Sequence, residues 1–209
     1  HMDGAELISF NNWTMLPHMT ALWDGILRDA LPRMRTAARR NKTMFFDLAD
    51  PEKRTREDIL GALARLRAFR EAGFTVALGL NRKEACEISE ALNRPVADYR
   101  AEPLEALTRF LYDALGLDCV AVHPVDRAAC ATEAGYFEAE GPYCAAPRLT
   151  TGAGDNFNAG FVFGWLQGFP PGMCLTLGTA VSGYYVRNCH SPDRDEIRAF
   201  LRDWRGGRL

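Results

Sequence analysis

The amino-acid sequence predicts an α/β fold in which helices cover a mostly parallel sheet. Short β-rich runs alternate with segments of helical periodicity along most of the chain, an order typical of parallel strands joined by right-handed crossovers. Residues 74–80 form an unbroken apolar run, FTVALGL, the pattern of a strand that is covered on both faces. The 209 residues are 47% hydrophobic, which is enough apolar material for a buried core.

The first part of the chain predicts two strands with a long helix between them. A short strand is expected over residues 6–10, and apolar residues at helical spacing predict a helix over residues 18–40. Pro32 lies within this helix and is expected to kink or divide it. The β-rich residues 43–48 predict the second strand.

The next two helices have clear start signals. Thr55 is expected to be an N-cap, with Asp58 three residues later, and Gly73 stands at the C-terminal end of that helix. After the apolar strand, Asn81 is expected to open another helix that ends near Leu92.

The remaining elements follow the same alternation and then become helical. We expect a helix over residues 103–115 and a buried strand over residues 119–122. Three short β-like runs predict pairing in hairpins at one edge of the sheet: residues 128–132, 135–139 and 143–146. Three helices are predicted at the end: residues 155–168, 172–189 and 193–204. Residues 3–209 are expected to form a single α/β domain, with residues 1–2 as the remnant of an expression tag.

Composition and charge argue against several function classes. The chain has 25 Lys and Arg against 27 Asp and Glu, a formal charge of -2, so no electrostatic signal favours nucleic acid or an anionic membrane as a partner. The most apolar stretch, residues 157–169, carries Asn158 and Gln167 and is too short to cross a bilayer as a helix. The start of the chain has no secretory signal, and a soluble cytoplasmic protein is expected.

The cysteines are predicted to be reduced and structural. They are scattered singly, without a Cys-x-x-Cys pair or the Cys/His spacing of a zinc site. Most have apolar neighbours, which fits small core residues in a reducing compartment. The six positions are Cys86, Cys119, Cys130, Cys144, Cys174 and Cys189.

A basic cluster occurs near the end of the first predicted helix. We interpret it as the solvated end of a helix, where positive charge suits the negative end of the helix dipole. No aromatic residues are interleaved with these charges, which argues against a nucleic-acid surface. Its members are Arg33, Arg35, Arg39, Arg40 and Lys42.

The segment that carries chemistry is Thr150-Thr151-Gly152-Ala153-Gly154-Asp155, which leads into an apolar helix. The two glycines let the backbone bend tightly, so that successive N–H groups at the helix start can converge on an anion. Asp155 lies in the first helical turn and could accept a proton from an attacking hydroxyl. The alternative is that the glycines shape an ordinary loop and Asp155 only caps the helix.

This segment, continued by Asn-Phe-Asn-Ala-Gly-Phe, resembles the signature of the ribokinase-like (PfkB) carbohydrate kinase family. The resemblance implies a three-layer, Rossmann-like fold and ATP-dependent phosphorylation of a hydroxyl on a sugar or sugar-like molecule. It further implies that Gly152, Ala153 and Gly154 form the anion hole for the transferred phosphoryl group. Asp155 would be the base that activates the sugar hydroxyl.

A second motif, Asn81-Arg82-Lys83-Glu84, resembles the Asn-x-x-Glu motif of the same family. The resemblance implies that Asn81 contacts the nucleotide phosphates and that Glu84 acts on a magnesium ion. The alternative is a capping box, in which Asn81 and Glu84 satisfy each other's backbone N–H groups at the helix start. The resemblance also places Thr151 and Thr179 among the nucleotide-binding residues.

The sequence departs from the family pattern in three places. Leu149 stands where many members carry an Asp that helps to bind a monovalent cation. Residues 123–128 replace a glycine-rich adenine loop, and His123 is interpreted as a structural residue at a strand end. The first strands, the lid sheet and most sugar contacts of the family have no counterpart ahead of residue 5.

This last departure leads us to expect a fragment that is a poor kinase by itself, because the wall that orients the sugar is missing. An exposed sheet edge and apolar helix faces are expected to favour self-association. The alternative function is a non-catalytic module that binds or senses a nucleotide or a sugar phosphate. The sequence does not identify the substrate.

Overall fold

A computed structural model describes residues 2–34, 39 and 41–209 of the chain. The chain divides into two compact units. The first unit comprises His1–Val122 and Ala131–Tyr136, and the second comprises His123–Cys130 and Phe137–Leu209. The strands form one mixed sheet in the order β1-β2-β3-β4-β5-β6. The α/β prediction is therefore confirmed.

The predicted strands of the first half are present almost as expected. Strands β1 and β2 are parallel with Leu7 opposite Thr43, and β2 and β3 are parallel with Thr43 opposite Thr75. The strands are β1 Leu7–Phe10, β2 Thr43–Asp47, β3 Thr75–Asn81 and β4 Cys119–His123. Residues 76–80 of β3 are all buried, as the unbroken apolar run predicts for a strand that is covered on both faces.

The helices of the first unit begin and end where the sequence signals predicted, with one exception. Helix α2 has Thr55 as its N-cap in a complete capping box with Asp58. Gly73 follows it at φ 101°, the left-handed conformation that stops a helix. The α-helices are α1 Met19–Gly25, α2 Arg56–Glu71, α3 Arg82–Ala91 and α4 Leu104–Leu115, and single 3-10 turns occur at Met2–Gly4, Trp13–Met15 and Pro51–Lys53.

The exception is the long helix predicted over residues 18–40, which is wrong in its extent. Helix α1 passes into a π-helical segment, Ile26–Ala30, and then into a 3-10 turn, Leu31–Arg33, with Pro32 inside it. Met34 has extended backbone angles, so the helix ends there. The expectation that Pro32 kinks or divides the helix is confirmed, because a proline nitrogen carries no hydrogen to donate and its ring clashes with the preceding turn. Residues 35–38 and 40 lie outside the described part of the chain.

The prediction that the basic cluster is solvated is wrong for Lys42 and Arg39. Lys42 is buried, and its ammonium group donates to the carbonyl oxygens of Asp3 at 2.7 Å and Ala5 at 2.5 Å. The Arg39 guanidinium donates to the carbonyls of Leu31 and Met34. These two cations therefore satisfy backbone acceptors, which the charge pattern alone did not indicate. Arg33 is exposed as predicted, and Arg35 and Arg40 are not described.

The core beside β1 and β2 is aromatic. The rings of Phe10 and Phe46 stack at 5.6 Å between centroids, and Trp23 meets Phe46 edge-on at 5.2 Å. Phe69 of α2 lies 5.8 Å from Phe46. Edge-on and offset contacts of this kind stabilise a core beyond the area that they bury.

The second half of the chain contains a hairpin and three helices. Strands β5 and β6 are neighbours in the sheet and are joined by two residues, a connection that only antiparallel strands allow. The strand predicted over residues 143–146 is wrong, because this segment has no regular structure. The elements are β5 Arg127–Thr132, β6 Gly135–Glu140, α5 Ala153–Leu166, α6 Pro171–Asn188 and α7 Arg194–Arg205.

Helices α5 and α6 pack with their backbones in close contact. A Cβ on Gly160 would lie 2.8 Å from the Leu177 carbonyl oxygen, and one on Gly178 would lie 3.0 Å from that of Phe157. Both positions therefore need glycine. The result is a rigid pair of helices in the second unit.

Among the described residues, the helices are too short or too polar to span a bilayer. The cysteines are all free thiols. Four of them are buried, Cys144 is partly buried and Cys189 is exposed. Burial raises the pKa of the Cys86 and Cys174 thiols to about 11.

Candidate active site

Helix α5 begins at the glycine-rich segment, and its start is a tight turn. The N–H of Ala153 donates to the Thr150 carbonyl at 3.0 Å. Gly152 has φ 90° and ψ -1°, the values of the third residue of a type II turn, which favours glycine because φ is positive. Gly152 is the N-cap of α5 and provides no side-chain cap.

This turn leaves two consecutive amides free at the start of the helix. The Asn156 N–H donates to the Gly152 carbonyl at 3.0 Å, and the Ala153 N–H is already bonded within the turn. In the described chain, the N–H groups of Gly154 and Asp155 have no acceptor. Free amides at the positive end of a helix attract anions. Among the described residues, Gly152 and Gly154 of the predicted anion hole thus have open N–H donors, as does Asp155, whereas the Ala153 N–H is used within the turn.

Asp155 is the third residue of α5 and is exposed. Its carboxylate makes no hydrogen bond or ion pair with any residue that the structure describes. The interpretation of Asp155 as the helix cap is wrong, because Gly152 occupies that position. An exposed, uncommitted carboxylate beside two free amides can accept a proton from a bound hydroxyl.

Two side chains from other elements of the second unit pack against the glycines. The Tyr185 hydroxyl of α6 donates to the Thr151 carbonyl at 2.8 Å. His123, at the end of β4, has Cε1 3.3 Å from the position that a Cβ on Gly154 would take, and its ring centroid lies 4.5 Å from that of Phe157. Burial lowers the pKa of His123 to about 4, so the imidazole is neutral near pH 7.

The sequence pointed to His123 only as a structural residue, and it missed Tyr185. Neither residue belongs to the glycine-rich segment. Tyr185 lies in the middle of an apolar stretch and carries no local signal. Its position follows from the close packing of α5 and α6 and could not be predicted from spacing.

In the first unit, Asn81 and Glu84 form the capping box that the alternative interpretation predicted. The Asn81 side chain accepts from the Glu84 N–H at 3.0 Å, and the Glu84 carboxylate accepts from the Asn81 N–H at 2.8 Å. The other Glu84 oxygen accepts from the Asp50 N–H at 3.0 Å. Glu84 is buried, and its pKa is raised because desolvation outweighs these two hydrogen bonds.

This arrangement gives Glu84 a structural role and leaves one lone pair on each of its carboxylate oxygens. Both carboxylate oxygens already accept an amide hydrogen bond. Within the described ranges, there is no cluster of three or more His, Cys, Asp or Glu side chains that could hold a metal. Magnesium often keeps several waters and binds mainly to substrate phosphates, and such a mode needs no cage of protein ligands.

The remaining predicted residues lie in the second unit. Thr151 is exposed, and its carbonyl is bound by Tyr185. Thr179 is buried in α6, and its hydroxyl donates to the Thr176 carbonyl at 3.0 Å. The structure therefore joins Thr151 to the glycine turn and gives the Thr179 hydroxyl a partner within its own helix.

Solved structures with a similar backbone define the class of the fold. Ribokinase from Thermotoga maritima matches with a TM-score of 0.66 at 19% identity, over 96% of this chain and 58% of that chain. Adenosine kinase from Sinorhizobium meliloti matches with a TM-score of 0.66 at 21% identity, over 97% and 55%. Aminoimidazole riboside kinase from Salmonella enterica, complexed with aminoimidazole riboside and an ATP analogue, has a TM-score of 0.65 at 19% identity, over 93% and 62%. The chain has the ribokinase-like fold.

Sequence comparison gives the particular family. Residues 1–204 match the model of the prokaryotic ketohexokinase family, and the chain belongs to this family. A curated ketohexokinase from Haloferax volcanii is 29% identical over 199 residues, which are 95% of this chain and 51% of that protein. The chain thus spans about half the length of its curated relative.

Proposed function

We propose that this chain carries the phosphoryl-transfer machinery of an ATP-dependent sugar kinase whose acceptor is a ketohexose. The observation that carries the proposal is the start of α5, where the free N–H groups of Gly154 and Asp155 lie beside an exposed carboxylate. The name of the Haloferax relative, ketohexokinase, supports a ketohexose such as fructose as the acceptor. The Salmonella structure, complexed with an ATP analogue, supports ATP as the donor.

In the proposed reaction, Asp155 accepts the proton of a sugar hydroxyl. The hydroxyl oxygen forms a bond to the γ-phosphorus of ATP while the bond from this phosphorus to the β–γ bridging oxygen breaks, and ADP leaves with that electron pair. The amides of Gly154 and Asp155 stabilise the charge on the transferred group. Gly152 and Ala153 shape the turn that presents these amides.

We propose that Asn81, Thr151 and Thr179 contact the nucleotide, and that Glu84 acts on a magnesium ion through bridging water. Magnesium, when bound to the phosphates, would neutralise part of their charge. The buried Glu84 side chain also keeps the end of β3 in place, because it binds the backbone at Asn81 and Asp50.

The reducing cytoplasm is the proposed location, because it supplies ATP and because the cysteines are free thiols. Self-association stays a prediction. A concentration-independent monomer in light scattering would contradict it.

The experiment is the substitution Asp155→Asn, which removes the basic oxygen and keeps the shape of the side chain. ADP release with fructose and other ketohexoses would be measured in the natural gene product that contains this chain. We expect kcat to fall by about 10²- to 10⁴-fold, the usual contribution of a general base. ATP affinity, measured by calorimetry, should change little.

Asp195→Asn is the matched control, because Asp195 is also an exposed aspartate in the first turn of a helix. It should leave turnover unchanged. Near-normal turnover in the Asp155 variant would contradict the role of the base. ATP binding by the unsubstituted protein without turnover on any sugar would favour the nucleotide-sensing alternative.

A further inference from the structure

The glycine turn, residues 150–153, has a central peptide bond that could face either way. In a type II turn the third residue has positive φ, and rotation of the central peptide by about 180° converts the turn to type I. The bond from the Ala153 N–H to the Thr150 carbonyl is compatible with both forms. Another interaction must therefore select between them.

The central peptide here joins Thr151 to Gly152, and the Tyr185 hydroxyl holds its carbonyl at 2.8 Å. The same hydroxyl lies 2.9 Å from the position that a Cβ on Gly152 would take. Because a peptide is planar and trans, fixing the carbonyl also fixes the opposite direction of the Gly152 N–H. Tyr185 therefore stabilises the type II form.

The orientation matters for an anion site. A flipped peptide would exchange the positions of an N–H donor and a carbonyl oxygen, and a carbonyl that faces a phosphoryl group would repel it. The turn lies directly before the free amides of Gly154 and Asp155. A change in its form would therefore alter the electrostatic surroundings of the transferred group.

Tyr185 is held in place by the packing of its helix. Its helix, α6, is held against α5 by backbone contacts at Gly160 and Gly178. The hydroxyl therefore approaches the turn from a rigid element, which limits how far it can move away.

We propose that Tyr185 is a positioning residue that locks the glycine turn in its type II form, and this proposal rests on the proposed kinase function. It does not touch the reacting atoms in our account. Its effect is to keep the Thr151 carbonyl bound away from the phosphoryl group and to preserve the geometry of the anion hole.

The test is Tyr185→Phe, which removes only the hydroxyl. Loss of one net hydrogen bond corresponds to about a fivefold change in the balance between the two turn forms. We expect kcat to fall about fivefold to tenfold with KM for fructose unchanged. In the nucleotide-free protein, the backbone amide resonances of Gly152 and Ala153 should shift.

Tyr184→Phe is the matched control on the same helix. The Tyr184 hydroxyl donates to Glu196 at 2.7 Å and lies 3.0 Å from Nε2 of His190, so this variant also loses hydroxyl hydrogen bonds, but away from the glycine turn. It should lower the melting temperature while leaving kcat and the Gly152 resonance unchanged.

The two readouts separate the two proposals. An unchanged Gly152 resonance together with kcat within about twofold of the starting protein would overturn the role of Tyr185. If the starting protein has no kinase activity, the proposed function fails, and the resonances of the nucleotide-free protein still decide whether Tyr185 holds the turn.

Discussion

The starts of helices α3 and α5 show two different uses of the same backbone feature. At α3, Asn81 and Glu84 bind each other's N–H groups in a complete capping box. At α5, Gly152 offers no cap, and the amides of Gly154 and Asp155 remain free. The first start is satisfied from within the chain, whereas the second has donors available for a ligand.

A missing cap does not by itself mark a binding start, because α1, α4 and α6 also begin without a side-chain cap. The start of α5 differs in having the uncommitted carboxylate of Asp155 beside its free amides. Helices α2 and α7 also begin with full capping boxes. A glycine at the N-cap costs only about a few tenths of a kcal/mol relative to Ser, Thr, Asn or Asp. The start of α5 therefore keeps open donors at little cost in stability, as the proposed anion site requires.

The largest effect on stability is expected for Gly152→Ala. The positive φ strains any residue with a Cβ, and the new methyl group would displace the Tyr185 hydroxyl. We expect a loss of about 2–3 kcal/mol in the free energy of unfolding and weaker ATP binding. Urea denaturation and calorimetry measure the two effects.

Gly168→Ala is the control for this prediction. Gly168 also has positive φ, at 71°, but has nothing within 4 Å of its Cβ position. Its cost should be limited to about 1 kcal/mol of backbone strain, without any change in ATP binding. Equal losses for both variants would show that the contact with Tyr185 does not matter.

Low pH should weaken the region around His123. Its folded pKa of about 4 is below the ordinary value, so the unfolded chain binds a proton on His123 more readily than the folded protein does. The stabilising contribution of His123 is therefore lost as pH falls from about 6.5 towards 4. Between pH 7 and 5, the free energy of unfolding should fall by about 2 kcal/mol because of His123. The ring packs against Phe157 and Gly154, which carry no charge.

His123→Phe keeps a ring against Phe157 and removes the titration. The unfolding free energy of this variant should fall less on acidification than that of the starting protein. The pH dependence that Glu84 contributes to stability has the opposite sign. Its folded pKa is raised, so its stabilising contribution is present at low pH and is lost as pH rises. Parallel pH profiles for the starting protein and the His123 variant would contradict the prediction.

The smallest effect is expected for Asn81→Ala, which removes the cap of α3. The loss in the free energy of unfolding should be about 1 kcal/mol. Thr55→Ala at the capping box of α2 is the matched control and should cost a similar amount. If Asn81 also binds the nucleotide, Asn81→Ala should weaken ATP affinity and Thr55→Ala should not, which calorimetry would measure.

Local signals predicted the fold well where the physics is local. The cap at Thr55, the stop at Gly73 and the apolar strand β3 all depend on neighbours in sequence. The helix predicted over residues 18–40 was too long, because the regular α-helix gives way to a π-helical segment at Ile26, ahead of the division that Pro32 was expected to cause.

The predicted strand over residues 143–146 failed for a tertiary reason. A Cβ on Gly183 of α6 would lie 2.3 Å from Pro142, and the Arg187 guanidinium donates to the Tyr143 carbonyl at 2.7 Å. These contacts with α6 bind the segment in an irregular form. Single-sequence patterns do not contain such contacts.

In the candidate site, too, some features depend on local sequence and others depend on tertiary contacts. The motif predicted the turn and the helix start, because both are encoded within six residues, and the role of Asp155 stays a prediction. Tyr185 and His123 come from other elements and reach the turn only through tertiary packing. That the Ala153 N–H is already bonded, while those of Gly154 and Asp155 are open in the described chain, became visible only from the hydrogen bonds of the turn.

In the proposed function, the start of α5 binds a phosphoryl group through free amides. The most direct measurement is a titration of the ¹⁵N-labelled protein with a non-hydrolysable ATP analogue, followed through backbone amide resonances. We predict the largest downfield proton shifts at Gly154 and Asp155, with the capped starts of α2 and α7 unchanged. Binding of the analogue without movement of these two resonances would contradict the account.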